Sequence, residues 1–233
     1  MAVFTDSGPS SDDGGPPRRP ARAVLASLGL TVAALLASLA GGIALAIPVV
    51  LFELDLGSPP VLAGLTAAGQ VGFLLVGYAY ARYAGIRVGL AVPDGRDLAH
   101  FVGGTVLALA VAVGLSALLA SLDLLPGSVL AEAGTADPTL FLWLAGLSVV
   151  LVAPAEEFLF RGVVQTRLRR AFGRRGAVLG SSLLFGSMHL ANYTGRAVPI
   201  VAGALLITAV GAVFGTLYER TRNLAVPVLT HAT

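Results

Sequence analysis

The stretch "TLFLWLAGLSVVLVAPAEEFLFRG", residues 139–162, carries no charge from Thr139 to Ala155 and then places Glu156, Glu157 and Arg161 close together. A transmembrane helix needs ~20 mostly apolar residues. The three charges therefore fall within the reach of the span and not beyond it. The rest of the chain has the same character. Of its 233 residues, 56% are hydrophobic and 12% charged, against about 45–50% and about 25% in soluble domains. Mean hydropathy is +0.85. These values exclude a globular domain with a water-facing surface. Without cysteine, disulfides, thiolate metal sites and thiol nucleophiles are excluded as well.

Working outward, charge-free runs recur at Ala23–Phe52, Val61–Ala81, Leu98–Leu122, Ala177–Tyr193 and Ala197–Tyr218, and a further run begins at Leu224. With Thr139–Ala155 they predict an all-α, polytopic transmembrane helix bundle of six full spans plus a truncated seventh. Gly41, Gly42 and Pro48 are expected to kink the first span. Residues 1–20, rich in Ser, Asp, Gly and Pro, predict a disordered tail; 21–233 form the transmembrane domain, with the candidate catalytic motifs within 153–233. The arginines alternate from loop to loop: Arg18, Arg19 and Arg22, then Arg82, Arg87 and Arg96, then Arg167 to Arg175, then Arg220 and Arg222. The intervening loops hold Glu53 and Asp55, then Asp123, Glu132 and Asp137, and Arg196 is the exception. By the positive-inside rule the N-terminus is cytoplasmic in a multi-pass cell-membrane protein. The bilayer is thus one partner, and nucleic acid is not expected despite a net charge of +2.

Charges inside a membrane span cost roughly 2.5–3.5 kcal/mol each and by default mark function. Glu157 and Arg161 are i,i+4 and share a helix face, which predicts a pair. Glu156 is rotated by about 100° and faces another helix. Pro154 kinks the helix or opens a new one beside the site. The simpler alternative is a structural Glu–Arg pair at the membrane edge. His189 follows Phe185 by one turn in "FGSMH", residues 185–189, and His231 lies in "VPVLTHAT" at the chain end. Either alone is as consistent with a hydrogen-bonded membrane histidine as with a site. His100, beside Asp97, reads as interfacial. Measured from the nearest arginines, Glu156, His189 and His231 lie about 16, 21 and 13 Å deep, so three helices can present a Glu and two His to one cavity.

A buried carboxylate suits general-base chemistry. Glu157 paired with Arg161 leaves Glu156 as the base, and histidines opposite can hold water, donate to an oxyanion or bind a metal. Hydrolysis by activated water is the reaction class. There is no H-E-x-x-H motif and no G-x-S-x-G elbow, and nothing around Ser187 favours a serine–histidine pair with His231.

With these residues identified, the chain resembles the CPBP family of CAAX proteases and bacteriocin-processing enzymes, which includes type II CAAX prenyl endopeptidases and the Abi proteins. The family's motifs E-E-x-x-x-R and F-x-x-x-H match "EEFLFR" at 156–161 and "FGSMH" at 185–189. The third, H-x-x-x-N/D, begins at His231 and is cut by the end at Thr233, which reads as a fragment of a longer chain. The resemblance covers roughly 140–233. It implies an intramembrane endopeptidase, metallo-type by common description, acting on a peptide or membrane-associated protein. It also implies that Glu156 and Glu157 are catalytic with Arg161 in support, that His189 holds the water, and that His231 polarises the scissile carbonyl. A divalent metal such as zinc and a water held directly by Glu and His both remain open. Two other readings use the same residues. One is a non-catalytic membrane immunity or scaffold protein. The other is a proton-coupled transporter, against which stands the lack of intramembrane charge in residues 23–122.

Overall fold

The computed structural model describes residues 20–233. The tail expected over residues 1–20 lies outside them except for Pro20, which opens the first helix. Among the described residues, five helical runs are long and apolar enough to cross a membrane: Pro20–Leu51, Pro59–Ala84, Gly95–Ser121, Thr139–Asn192 and Ala197–Thr221. Their outward side chains are apolar, with Leu36, Leu39, Val106, Leu142 and Val150 all exposed. In water such a surface would aggregate; in a bilayer it is the required one. This is a multi-pass membrane protein.

Helices α1 (Pro20–Leu51) and α2 (Pro59–Ala84) pack antiparallel. A Cβ on Gly41 would stand 2.5 Å from the Ala68 carbonyl oxygen, and one on Gly72 2.6 Å from the Ala37 carbonyl carbon. Small residues let the two backbones close, the usual means of helix association in lipid. Gly41, Gly42 and Pro48, expected as kinks, all lie inside one continuous helix; at Gly41 the physical reason is interhelical approach.

Helix α3 (Gly95–Ser121) starts at Asp94, whose carboxylate accepts the backbone N–H groups of Arg96 and Asp97 at 2.9 and 2.8 Å. A two-residue strand β1 (Gly127–Ser128) then leads into a short helix α4 (Val129–Ala136). It pairs antiparallel with β2 (Tyr193–Thr194). The sequence predicts only a loop here. Here Arg196, the exception to the arginine pattern, meets Asp123 at 3.2 Å. Its charge is thus matched locally.

The 54-residue run Thr139–Asn192 comprises α5 (Thr139–Leu147), wide π-helical turns over Ser148–Val152, α6 (Ala153–Glu157), further wide turns over Phe158–Gln165, and α7 (Thr166–Met188). Pro154 lacks the N–H that would close a regular turn. The widened winding on both sides of it is the local response, and such bulges concentrate at functional sites. At Gly173 the backbone leaves the helix (φ 68, ψ −172), and the run folds back on itself. Residues 165 and 181 would be about 24 Å apart along a straight helix, yet the Ser181 hydroxyl donates to Gln165 Oε1 at 3.1 Å. Helices α8 (Ala197–Thr221) and α9 (Ala225–Ala232) complete the bundle.

The Gly173 conformation is accessible almost only to glycine, and a Cβ there would meet nothing within 4 Å. Gly173→Ala is therefore a purely conformational change. It should lower unfolding stability in detergent by about 1–3 kcal/mol. Gly146→Ala, in regular helix with equally open space, should be neutral or stabilising. Equal responses would contradict the hairpin.

Candidate active site

The wide turns are buried all round: Leu159, Phe160, Arg161, Val163, Val164 and Gln165 are fully buried, as is Glu157 just before them. There Arg161 Nε lies 3.0 Å from Glu157 Oε2, both side chains at 0% exposure. The expected i,i+4 pair is present. The contact is too misaligned to count as a hydrogen bond, so charge rather than bond geometry holds it. Arg161 Nη1 and Nη2 have no hydrogen-bond acceptor among the described residues. Instead the guanidinium lies 4.7 Å from the Phe185 ring centroid and 5.9 Å from that of Phe214, so aromatic faces stabilise its remaining positive charge. On α8, a Cβ at Gly211 would come within 2.9 Å of the Phe185 ring and 3.3 Å of Arg161 Nη2. Glycine leaves room for both.

Helix α9 brings His231 into contact with the two carboxylates. Its Nδ1–H donates to Glu157 Oε1 at 3.0 Å. A carboxylate can only accept here, so Nδ1 carries the proton and Nε2 faces Glu156 Oε2 at 3.8 Å. The ring stacks on Phe214 at 5.1 Å and meets Phe185 edge-on at 5.8 Å. Glu157 thus has Oε1 on His231 and Oε2 on Arg161. Glu156 differs: Oε1 accepts from Gln70 Nε2 at 2.9 Å, Oε2 makes no hydrogen bond and has only the 3.8 Å approach of His231, and the side chain retains 11% exposure.

His189 lies at the end of α7, its ring 4.8 Å from Phe185. Its Nδ1–H donates to the Phe185 carbonyl at 2.9 Å, which leaves Nε2 as the free nitrogen. His189 and His231 line a common cavity of about 240 Å³ with Phe185, Phe214 and Thr230. The structure therefore gathers Glu156, Glu157, Arg161 and His231 directly, and joins His189 to them through Phe185 and this cavity. The acidic and imidazole groups do not gather into a metal-donor set of three among the described residues. Both oxygens of Glu157 face cationic or N–H partners, and Nδ1 of each histidine is spent on an acceptor.

Sequence reasoning missed three contributors. Gln70 is an amide in the otherwise apolar middle of α2, a signal as readable as the glutamates. Asn223 is buried at the α8–α9 turn. It donates to the Ala91 carbonyl at 3.1 Å and to Asp97 Oδ2 at 2.8 Å, and accepts from Ala91 N–H at 3.0 Å; this fixes where α9 starts. Phe214 has no signature beyond being apolar. Ser187 donates to the Leu184 carbonyl on an exposed face.

Gln70→Leu removes the amide from a nearly buried carboxylate and should lower stability by about 1.5–3 kcal/mol, the worth of a hydrogen bond to a charged group. Thr66→Val, which loses only a hydroxyl bonded within its own helix, should cost less than ~1 kcal/mol. Unfolding in mixed micelles measures both, and a neutral Gln70→Leu would contradict the contact.

The geometry can be set beside known proteins. A family profile described as Type II CAAX prenyl endopeptidase Rce1-like matches residues 138–233. The chain is also 34% identical over 82 residues to the "Uncharacterized protein YpbD" of Bacillus subtilis (strain 168). That alignment covers 35% of this chain and 36% of the relative, so the chain spans about a third of the curated protein it matches. No solved structure matches the chain. The profile takes in everything from α5 to α9 with Glu156, Glu157, Arg161, His189 and His231, and leaves out Gln70. It is through this segment, residues 138–233, that the chain resembles the Rce1-like type II CAAX prenyl endopeptidases.

Proposed function

We propose that the chain is an intramembrane endopeptidase of CAAX type in which Glu156 activates the attacking water. One observation carries this reading: of two adjacent carboxylates, Glu157 is sealed at 0% exposure between Arg161 and His231, while Glu156 alone keeps some exposure and has an oxygen with no hydrogen bond. The sealed group organises and the open one reacts. In this account Glu156 Oε2 takes a proton as the water oxygen bonds to the peptide carbonyl carbon. His189 Nε2 accepts the water's other hydrogen and orients it. Protonated His231, balanced by Glu157, donates from Nε2 to the developing oxyanion. The proton on Glu156 then passes to the leaving amine as the C–N bond breaks. No step is routed through a metal.

The same reading assigns topology. The two arms of the Gly173 hairpin cross the membrane separately, which makes six crossings, with α9 as the start of a seventh. The arginine-rich ends of α2, the hairpin and α8 face the cytoplasm, as does the N-terminus. The substrate is a peptide segment delivered from the membrane or its cytoplasmic surface.

Glu156→Gln should abolish cleavage of a farnesylated CAAX peptide by the purified chain, a loss of at least ~10²-fold, with unfolding stability within ~1 kcal/mol of wild type. Cleavage retained in that variant would overturn the assignment. His189→Ala should slow turnover with little change in stability, because its bonded nitrogen contacts only its own helix.

A further inference from the structure

We infer that the arginine-rich face carries a binding site for one anionic phospholipid, with its headgroup in a basic cleft and an acyl chain in the groove between α3 and α8. The cleft holds about 1010 Å³ and is walled by Arg96, Arg174, Arg175, Arg220, Arg222 and His100. Its one carboxylate, Glu219, is already taken by Arg169 at 2.9 Å and Arg222 at 2.5 Å. Arg96, Arg174, Arg175 and Arg220 have no carboxylate partner among the described residues. The Arg222 guanidinium is held below its ordinary value by partial burial, against the pull of Glu219, and Arg169 and Arg174 add like-charge repulsion. His100, expected to be merely interfacial, donates from Nδ1–H to the Arg96 carbonyl at 2.8 Å and lines the cleft.

The cleft continues into a second cavity of about 640 Å³. The two share His100, Ala212, Thr216 and Arg220. Beyond these residues the wall is apolar, with Gly103, Leu107, Ala209 and Val213. From Arg220 to Ala209 the groove follows α8 for about 16 Å, close to the ~15 Å hydrocarbon depth of one leaflet. Five guanidiniums at the mouth and an apolar channel one leaflet deep complement a phosphodiester joined to a hydrocarbon chain. Basic pockets between helices on this side of a membrane bind anionic headgroups. At Gly103, on the groove wall, a Cβ would meet nothing within 4 Å, so a side chain added there starts in open space. The inference rests on the arginine-based orientation proposed above and not on the protease chemistry.

The test is native mass spectrometry of the detergent-purified chain titrated with phosphatidylglycerol, phosphatidylcholine or inorganic phosphate. Wild type should retain one phosphatidylglycerol at least ~10-fold better than phosphatidylcholine. The combined Arg174→Gln, Arg175→Gln, Arg220→Gln variant should lose that preference. Arg82→Gln with Arg87→Gln, on the same face but outside the cleft, should keep it. Gly103→Leu should weaken phosphatidylglycerol retention while thermal stability stays the same. Equal retention of both lipids, or equal losses in the two arginine variants, would overturn the site. So would an unaffected Gly103→Leu or protection by inorganic phosphate equal to that by lipid. Displacement of phosphatidylglycerol by a farnesylated peptide carboxylate would assign the groove to substrate instead.

Discussion

A carboxylate and a guanidinium, Glu157 and Arg161, both fully buried, stand 3.0 Å apart inside a largely apolar bundle. Removing such charges from water costs several kcal/mol per ion, and mutual attraction offsets this only with good surroundings. Much of the nearby structure supplies those surroundings. Phe185 and Phe214 cover the guanidinium, Gly211 leaves space for it, and His231 takes the second oxygen of the carboxylate. The widened turns over Phe158–Gln165 are buried nearly all round and hold Arg161 inside the bundle. Pairing Glu157 is also what distinguishes it from its neighbour, and so leaves Glu156 available.

Helix α9 shows how far the site depends on distant contacts. Two contacts fix its position. Asn223 anchors its start to the loop between α2 and α3, and His231 anchors its end to Glu157. Val226 packs between them with Phe214 and Leu217. Toward the arginine-rich end of the hairpin, Gln165 donates to the Gly215 carbonyl at 3.0 Å and to Glu219 at 3.1 Å while accepting from Ser181. That amide ties both hairpin arms to α8, the helix that also carries Phe214.

Features that depend on local spacing were legible in the sequence. The i,i+4 relation of Glu157 and Arg161 predicts their pair, and the length of each apolar run predicts its helix. Counting from the arginines places Glu156 and His231 at similar depth, as their contact requires. Features that depend on which helices meet were not. Gln70 reaches Glu156 across 86 positions of chain and Asn223 reaches Asp97 across 126, separations for which one sequence carries no signal. Gly41 looks the same in sequence whether it bends a helix or admits a neighbour. Gly173 looks like one more glycine in an arginine-rich loop, although a left-handed conformation there is what turns one long helix into a hairpin. His100 could be placed at the interface from its neighbours, but the cleft it lines exists only once α3, α7 and α8 assemble.

The central claim is that Glu157 and Arg161 act as one buried unit around which the site is built. A double-mutant cycle with Glu157→Gln, Arg161→Met and the two combined, followed by reversible unfolding in mixed micelles, tests it most directly. Each single change strands a buried charge and should cost about 3–5 kcal/mol. The double variant should cost less than the sum of the two single losses, by a coupling of at least ~2 kcal/mol. Single-variant losses that add to within ~0.5 kcal/mol would mean the two side chains do not stabilise one another, and would contradict the account.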